Sequence, residues 1–552
     1  PHAEALELGH IVQHGRLVNK QIRLPIADLN KHVFVTGVTG AGKTTTCMKL
    51  LLESGLPFMV IEPAKTEYRA LHSQCDGVES YVLGREDITP FRLNPFELIS
   101  PDENLAGHID TLKATLSAVF PMEASMPYIV ANAIICAYKA KGWDIHSGEN
   151  FLVDDPWADG SHAWPIFSDM IQELDGVIKA AGMGREFEEK YRGSLVSRLT
   201  DLTLGTKGRM LNTRQSLDFD ALLDKKVVIE LEEIKDEQDK ALFMGFILQR
   251  LAECMKHRHR KDSTFKHLTL VEEAHRLLSR PEPGESDSKK QGVETFANML
   301  AEVRKYGEGL IIADQIPNKL VSDVVKNTHT KIVHRLFAAD DRNTIGDAMG
   351  LTDDQKAFLP LLQPGETVMY CGGWHGAVRV QIDEIVNTAQ DDITEDMLKV
   401  KGMALTWTQR HRLYPRTAEG NVLQTAEALT QFVTAGSRAI NWMLRANFTV
   451  AEKSQEDVSV RLQSGYAKAF VALTQIFKID GPMCARMLTD LFFDISGFMK
   501  SHRTDLLLAK VLPESFQALH SSMADFLVVR KSPEGKAILM DELIKLHKLE
   551  SV

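Results

Sequence analysis

The string Gly37-Val38-Thr39-Gly40-Ala41-Gly42-Lys43-Thr44 constrains this chain more than any other feature. It follows the apolar run His32-Val33-Phe34-Val35 and opens the helical run Thr44-Thr45-Thr46-Cys47-Met48. The pattern G-x-x-x-x-G-K-[ST] therefore has the strand, loop and helix context that a phosphate cradle needs. Glycines allow backbone N–H groups to point inward around phosphate oxygens, and the helix start adds the positive end of its dipole. Lys43 would reach the β- and γ-phosphates, and the Thr44 hydroxyl would ligate Mg²⁺. The expected nucleotide-binding set is Gly37, Thr39, Gly40, Ala41, Gly42, Lys43, Thr44 and Thr45. The competing reading, a glycine-rich turn without a ligand, is disfavoured because chance supplies such a string in only about one or two per hundred chains of this length.

Around this loop, residues 1 to about 388 alternate short apolar runs with helical stretches. Strands are expected at 32–35, 58–61, 226–231, 268–271, 309–313, 331–336, 366–370 and 377–382. Continuous apolar strands separated by helices imply a mainly parallel sheet covered on both faces, a doubly wound α/β fold. From 105 to about 216 the pattern turns helical, with Leu112, Leu116, Val119 and Phe120 at helical spacing, and residues 142–165 break it. This reads as an insertion into the α/β core. Residues 279–291 are polar and rich in Pro, Gly and Ser, as mobile loops are. Beyond Ile382 the strands stop, and 389–552 reads as helices whose apolar stripes suit an all-α bundle.

Composition narrows the class further. The 552 residues allow about three to five domains, and 44% apolar with 25% charged residues is ordinary globular composition. No run reaches the roughly 18 apolar residues of a membrane helix. The six cysteines form no C-x-x-C, so a reducing cytoplasm is expected, with no disulfide framework or zinc site. A net charge of −11 argues against a generally basic coat, so any polyanion contact must be local. The chain begins at Pro1 without a signal-peptide pattern, and further residues are expected upstream.

A second carboxylate site separates the P-loop classes. In His267-Leu268-Thr269-Leu270-Val271-Glu272-Glu273-Ala274-His275 an apolar strand ends in two adjacent acids. Strand-end placement aims them at the carboxyl edge of the sheet, where open α/β sheets bind ligands. Glu272 is expected to organise Mg²⁺, and Glu273 to orient and deprotonate the attacking water. The alternative is a solvated helix start, where acids are favoured anyway. A GTPase would require N-K-x-D, but Asn318-Lys319-Leu320-Val321 lacks the Asp; the Ser-Gly-Gly loop of ABC ATPases is also missing. A motor ATPase with ATP and Mg²⁺ as cofactors remains.

The chain resembles the HerA-like branch of the HerA/FtsK superfamily of hexameric DNA translocases over about residues 8–385. The resemblance rests on Leu29-Asn30-Lys31-His32 before the P-loop, Ile61-Glu62-Pro63-Ala64-Lys65-Thr66-Glu67-Tyr68-Arg69, and Glu272-Glu273-Ala274-His275. It continues through Val303-Arg304-Lys305-Tyr306-Gly307, Leu310-Ile311-Ile312-Ala313-Asp314-Gln315-Ile316-Pro317 and Thr330-Lys331-Ile332-Val333-His334-Arg335-Leu336. It implies a RecA-like motor at 31–388 and a catalytic set of Lys43, Glu272, Glu273, Gln315 and Arg304, with Thr44 and Glu272 at the metal. Gln315 would be the polar sensor of γ-phosphate or lytic water. Arg304 would be an arginine finger reaching a neighbouring subunit, with Lys31 and Arg335 as weaker candidates. A strand-end cap for Gln315 and a surface helix cation for Arg304 remain as alternatives. Glu62 could orient water or couple DNA to the site, and Lys65 and Arg69 could touch phosphates or be merely solvated.

The resemblance further implies a homo-oligomeric, hexameric ring with DNA through its pore and no membrane. It also implies a separately encoded effector, a nuclease or a sirtuin-like NAD-consuming enzyme, in antiphage defence or end resection. The family's N-terminal barrel does not fit in residues 1–30, which have room for one or two strands, a remnant or linker. Residues 389–552 are an addition to the motor. A conjugation or secretion motor and an ATP-dependent assembly scaffold are the competing functions. Candidate pore cations are Lys190, Arg192, Arg198, Lys207, Arg209, Lys289 and Lys290; the dense basic run 256–261 closes a helix, where cations meet the dipole.

Overall fold

The computed structural model describes residues 5–85, 88–120, 122–158 and 161–385, with isolated positions between 393 and 405. The helical bundle expected at 389–552 lies almost wholly outside the described residues. The strands are β1 Ala5–Gln13, β2 Arg16–Pro25, β3 Val33–Thr36, β4 Phe58–Glu62, β5 Val78–Val82 and β6 Lys226–Glu230. They continue with β7 His267–Glu272, β8 Glu308–Asp314, β9 Thr330–Val333, β10 Glu366–Cys371 and β11 Val378–Ile382. All eleven join one sheet in the order β2-β1-β11-β10-β9-β3-β8-β7-β4-β6-β5. From β9 to β5 every pairing is parallel, and from β9 through β10, β11, β1 and β2 every pairing is antiparallel.

The fold is a RecA-like, mainly parallel α/β sheet. Strands β3, β4 and β8 are buried along their whole length. Helices cover both faces there, so an uninterrupted apolar run is the pattern such strands require. The edge strand β2 is mostly exposed and correspondingly polar. Residues 1–30, expected as a barrel remnant or linker, contribute β1 and β2 to the antiparallel edge of the motor sheet itself. Strand β5 was not anticipated: Val78-Glu79-Ser80-Tyr81-Val82 carries two polar residues in five and, among the described strands, pairs only with β6.

Between β5 and β6 the chain forms the helices Leu105–Val119, Met126–Ala140, Phe167–Ala180, Arg185–Tyr191, Ser197–Asp201 and Gly205–Leu211. Leu112, Leu116, Val119 and Phe120 are buried along the first of them. The break at 142–165 is held by aromatic packing. Trp143 stacks on Trp164 at 4.5 Å, Trp157 meets both edge-on, and Trp143 Nε1 donates to Ala163 O at 2.7 Å.

Two expectations need correction. The strand expected at 331–336 stops at Val333, because His334 turns beneath the P-loop and Arg335 O accepts the Val38 N–H at 3.0 Å. The loop expected at 279–291 is a loop only to Ser286. That serine caps the helix Asp287–Glu302 by accepting from Lys289 N, so Lys289 and Lys290 belong to its first turn. Gly292 allows this helix to approach Leu105–Val119 closely, since a Cβ there would lie 2.7 Å from Ala118 N.

Candidate active site

Strand order positions the site. The P-loop leaves β3 and the two acids end β7, with β8 between them. The segment leaving β8 therefore emerges between phosphate loop and acids. Gln315, one residue beyond β8, occupies that place: its Nε2 donates to Glu273 Oε1 at 2.8 Å, and its Oε1 accepts from Thr39 Oγ1 at 2.9 Å. One side chain thus bridges elements far apart in sequence.

The loop at 37–42 runs into the helix Lys43–Ser54 through Gly42, whose φ of 106° suits glycine, and no side chain caps the helix start. Its first amides therefore remain open to an anion. Gly37 packs on His334 so closely that a Cβ would lie 2.5 Å from His334 Cβ. His334 in turn sits 2.9 Å from Thr46 Oγ1, and burial pushes its imidazole down to about 3, so it stays neutral beneath the loop. Lys43 Nζ donates to Gly37 O at 2.7 Å, and burial lowers its pKa. Gly40 and Thr45 are exposed, and Ala41 is buried with its carbonyl accepting from Gly365 N at 3.0 Å.

Glu272 ends β7, and Glu273 follows in left-handed conformation at φ 51°, uncommon for a residue with a Cβ and concentrated at functional sites. The turn is pinned from β8. Buried Asp314 accepts from the His275 backbone N–H at 2.8 Å and lies 2.9 Å from His275 Nδ1. Glu273 Oε2 lies 3.6 Å from Arg276 Nη2 and 3.8 Å from His275 Nε2. Glu272 accepts the Tyr68 hydroxyl at 2.5 Å, and burial pushes its carboxyl up to about 7.

The segment after β4 supplies groups whose roles the sequence left open or missed. Glu62 is buried, and its carboxylate accepts the backbone N–H of Glu67 at 2.7 Å and of Tyr68 at 3.3 Å. Burial pushes Glu62 up to about 8. Glu67 Oε2 accepts from Thr44 Oγ1 at 2.5 Å, and Lys65 Nζ donates to Glu67 Oε1 at 2.6 Å. Arg69 makes a bidentate pair with buried Glu230 at 2.8 and 2.6 Å, so it is committed inside the fold. Asp314, His275, Tyr68, Glu67 and His334 all stand within the recognised motifs, but their partners lie across the fold and leave no local signal.

Arg304 does not join this cluster. It is exposed on the turn Val303–Tyr306 before β8, whereas Gln315 follows that strand. Seven residues of strand at ~3.3 Å each put about 20 Å between the two ends. Lys31 is at the same far edge, paired with Asp28 at 2.8 Å. Arg335 stacks on Phe337 at 5.5 Å. Of the basic candidates, Lys207 pairs with Asp201 and Asp239, Arg192 with Asp175, Lys289 with Glu285 and Lys290 with Asp287.

The residues present suit a magnesium nucleotide: an uncapped helix start, glycine turns, a lysine at the loop, a threonine hydroxyl and strand-end carboxylates. Fold and site together define a RecA-like P-loop ATPase. No family model matches the chain. Over 408 residues it is 22% identical to the DNA double-strand break repair helicase HerA of Sulfolobus acidocaldarius, spanning 71% of this chain and 73% of that protein. Over 383 residues it is 24% identical to a probable helicase of Methanocaldococcus jannaschii, spanning 66% and 68%. VirB4 of Thermoanaerobacter pseudethanolicus shares the fold, with a TM-score of 0.54 at 18% identity over 70% of this chain and 98% of that one. Over about two thirds to seven tenths of its length the chain is thus similar to HerA-type helicases. Among the described residues no helix is long and apolar enough to cross a membrane.

Proposed function

We propose that this chain is one subunit of a hexameric ring that hydrolyses ATP to move DNA through its pore. It would work with a separately encoded nuclease or sirtuin-like effector in antiphage defence or end processing. The observation that carries the motor reading is the bridge from Thr39 through Gln315 to Glu273, which couples phosphate loop, sensor strand and catalytic acid. The HerA relatives support DNA as the substrate.

In this reading the loop amides and Lys43 hold the phosphates, and Thr44 and Glu272 would hold Mg²⁺, which would supply charge neutralisation for phosphoryl transfer. Glu273 accepts a proton from the attacking water, its carboxylate aimed by the Gln315 amide. Gln315 shares one hydrogen-bond system with the P-loop, so a change at the γ-phosphate reaches the acid that acts on it. Arg304, remote from its own site and exposed, is available to the nucleotide of a neighbouring subunit, and the site is completed only on assembly.

ATP turnover with and without DNA, in the parent, Lys43→Ala and Glu273→Gln, tests the motor reading. DNA should stimulate the parent, and both variants should be inactive, with Glu273→Gln retaining ATP. Hydrolysis by Lys43→Ala at the parent rate would sink the site assignment, and indifference of the parent to DNA would sink the translocase. An effector that stays active with Glu273→Gln would favour an assembly switch over a motor.

A further inference from the structure

The hydroxyl that faces the metal in a P-loop is bonded here to a carboxylate other than Glu272, the acid expected to organise Mg²⁺. Thr44 Oγ1 donates to Glu67 Oε2 at 2.5 Å. The strand-end acid Glu272 instead receives the Tyr68 hydroxyl at 2.5 Å. Glu67 and Tyr68 are neighbours, so a single short turn delivers one group to the phosphate loop and the next to the acidic strand.

That turn is built to hold its position. Both its backbone N–H groups, at Glu67 and Tyr68, end on the buried Glu62 carboxylate. At the next residue, Arg69 is locked to Glu230 on the neighbouring strand β6. The Tyr68 ring is buried and the Glu67 side chain is 41% exposed, so the carboxylate stands where an ion can reach it. A hydroxyl that binds a cation through its oxygen must direct its hydrogen elsewhere. A carboxylate acceptor both fixes that direction and raises the electron density on the oxygen, as partners behind metal ligands do generally.

We propose that Glu67 is the positioning carboxylate of the metal site: it takes the Thr44 hydrogen bond and tunes that hydroxyl for Mg²⁺. The proposal rests on the reading that this P-loop binds a magnesium nucleotide. Lys65, bonded to the other Glu67 oxygen at 2.6 Å, helps to fix the carboxylate in place.

Binding of a fluorescent ADP by the full chain, in saturating Mg²⁺ and in EDTA, separates the alternatives without requiring turnover. The parent should bind more tightly with Mg²⁺. Glu67→Gln should bind as the parent does in EDTA, which also reports an intact loop, and should need about ten- to a hundredfold more Mg²⁺ for its gain. Glu67→Asp should recover part of that loss. Glu67→Gln should add nothing in a Thr44→Val background, because its action passes through that hydroxyl. A parent-like Mg²⁺ response in Glu67→Gln would overturn the proposal. A parent that binds no nucleotide would overturn the P-loop reading and this proposal with it.

Discussion

Gln315 and Glu273 are joined by a 2.8 Å hydrogen bond between strands β8 and β7, with the opposite end of the same amide held by Thr39. An amide donating to a carboxylate leaves that carboxylate free to accept elsewhere but not free to swing. If this bond aims Glu273, Gln315→Leu should lower kcat by about a hundredfold or more, as loss of a positioned base does, with ATP binding little changed. Steady-state hydrolysis set beside nucleotide binding checks this. A rise in KM with kcat preserved would make Gln315 a binding residue only.

The buried strands were legible because both faces are covered: β3, β4, β6 and β8 each carry an unbroken apolar run, and β7 one broken only by Thr269. Strand β5 escaped because Glu79 and Ser80 interrupt its apolar pattern. In the site, neighbours in sequence were readable and neighbours in space were not. The P-loop and the acid pair are local strings whose chemistry depends on adjacent residues. Thr44 with Glu67, Tyr68 with Glu272 and Thr46 with His334 are 23, 204 and 288 positions apart, and only the strand order brings them together.

Glu62 gives the fold a definite pH response. In the unfolded chain its carboxyl ionises near ~4.3, while in the folded protein burial holds the proton to about 8. Between those values the folded state carries the extra proton, so stability is fullest below the unfolded pKa and is lost as pH rises through the folded one. The buried imidazoles of His32 and His334, pushed down to about 4 and about 3, act oppositely, but only below about 6.5. From about pH 7 to 8, above the values of about 7 to which Glu272 and Glu103 are held and below that of about 8 to which Lys331 is lowered, the denaturant midpoint should therefore fall, and Glu62→Gln, which cannot ionise, should flatten the fall. A slope unchanged by this substitution would place the response elsewhere.

Gly37 is required by contact rather than by flexibility alone. Its missing side chain leaves the space taken by His334, and an added Cβ would sit 2.5 Å from His334 Cβ. Gly37→Ala should push His334 away from Thr46 and deform the loop, costing about 1–3 kcal/mol of stability, with nucleotide binding lost. Melting curves and fluorescent nucleotide titration read the two effects separately. Parent-like binding in this variant would mean that the loop reshapes freely.

Arg304 and Gln315 flank the same strand, and that strand separates them by about 20 Å. An arginine at the start of β8 is therefore remote from the nucleotide edge of its own chain, so a part in catalysis would have to be played at a neighbouring copy. If it supplies transition-state charge across an interface, Arg304→Ala should bind ATP as the parent does and lose about 10³–10⁵ in turnover. The loss should be repairable. In a ring that mixes Arg304→Ala with Lys43→Ala subunits, some interfaces pair the intact P-loop of the first with the intact arginine of the second, and hydrolysis should partly return. Two differently tagged variants, copurified to verify mixed rings and then assayed for ATP turnover, give the measurement. Verified mixed rings that remain inactive would remove Arg304 from the active site and leave it a surface cation at the far edge of the sheet.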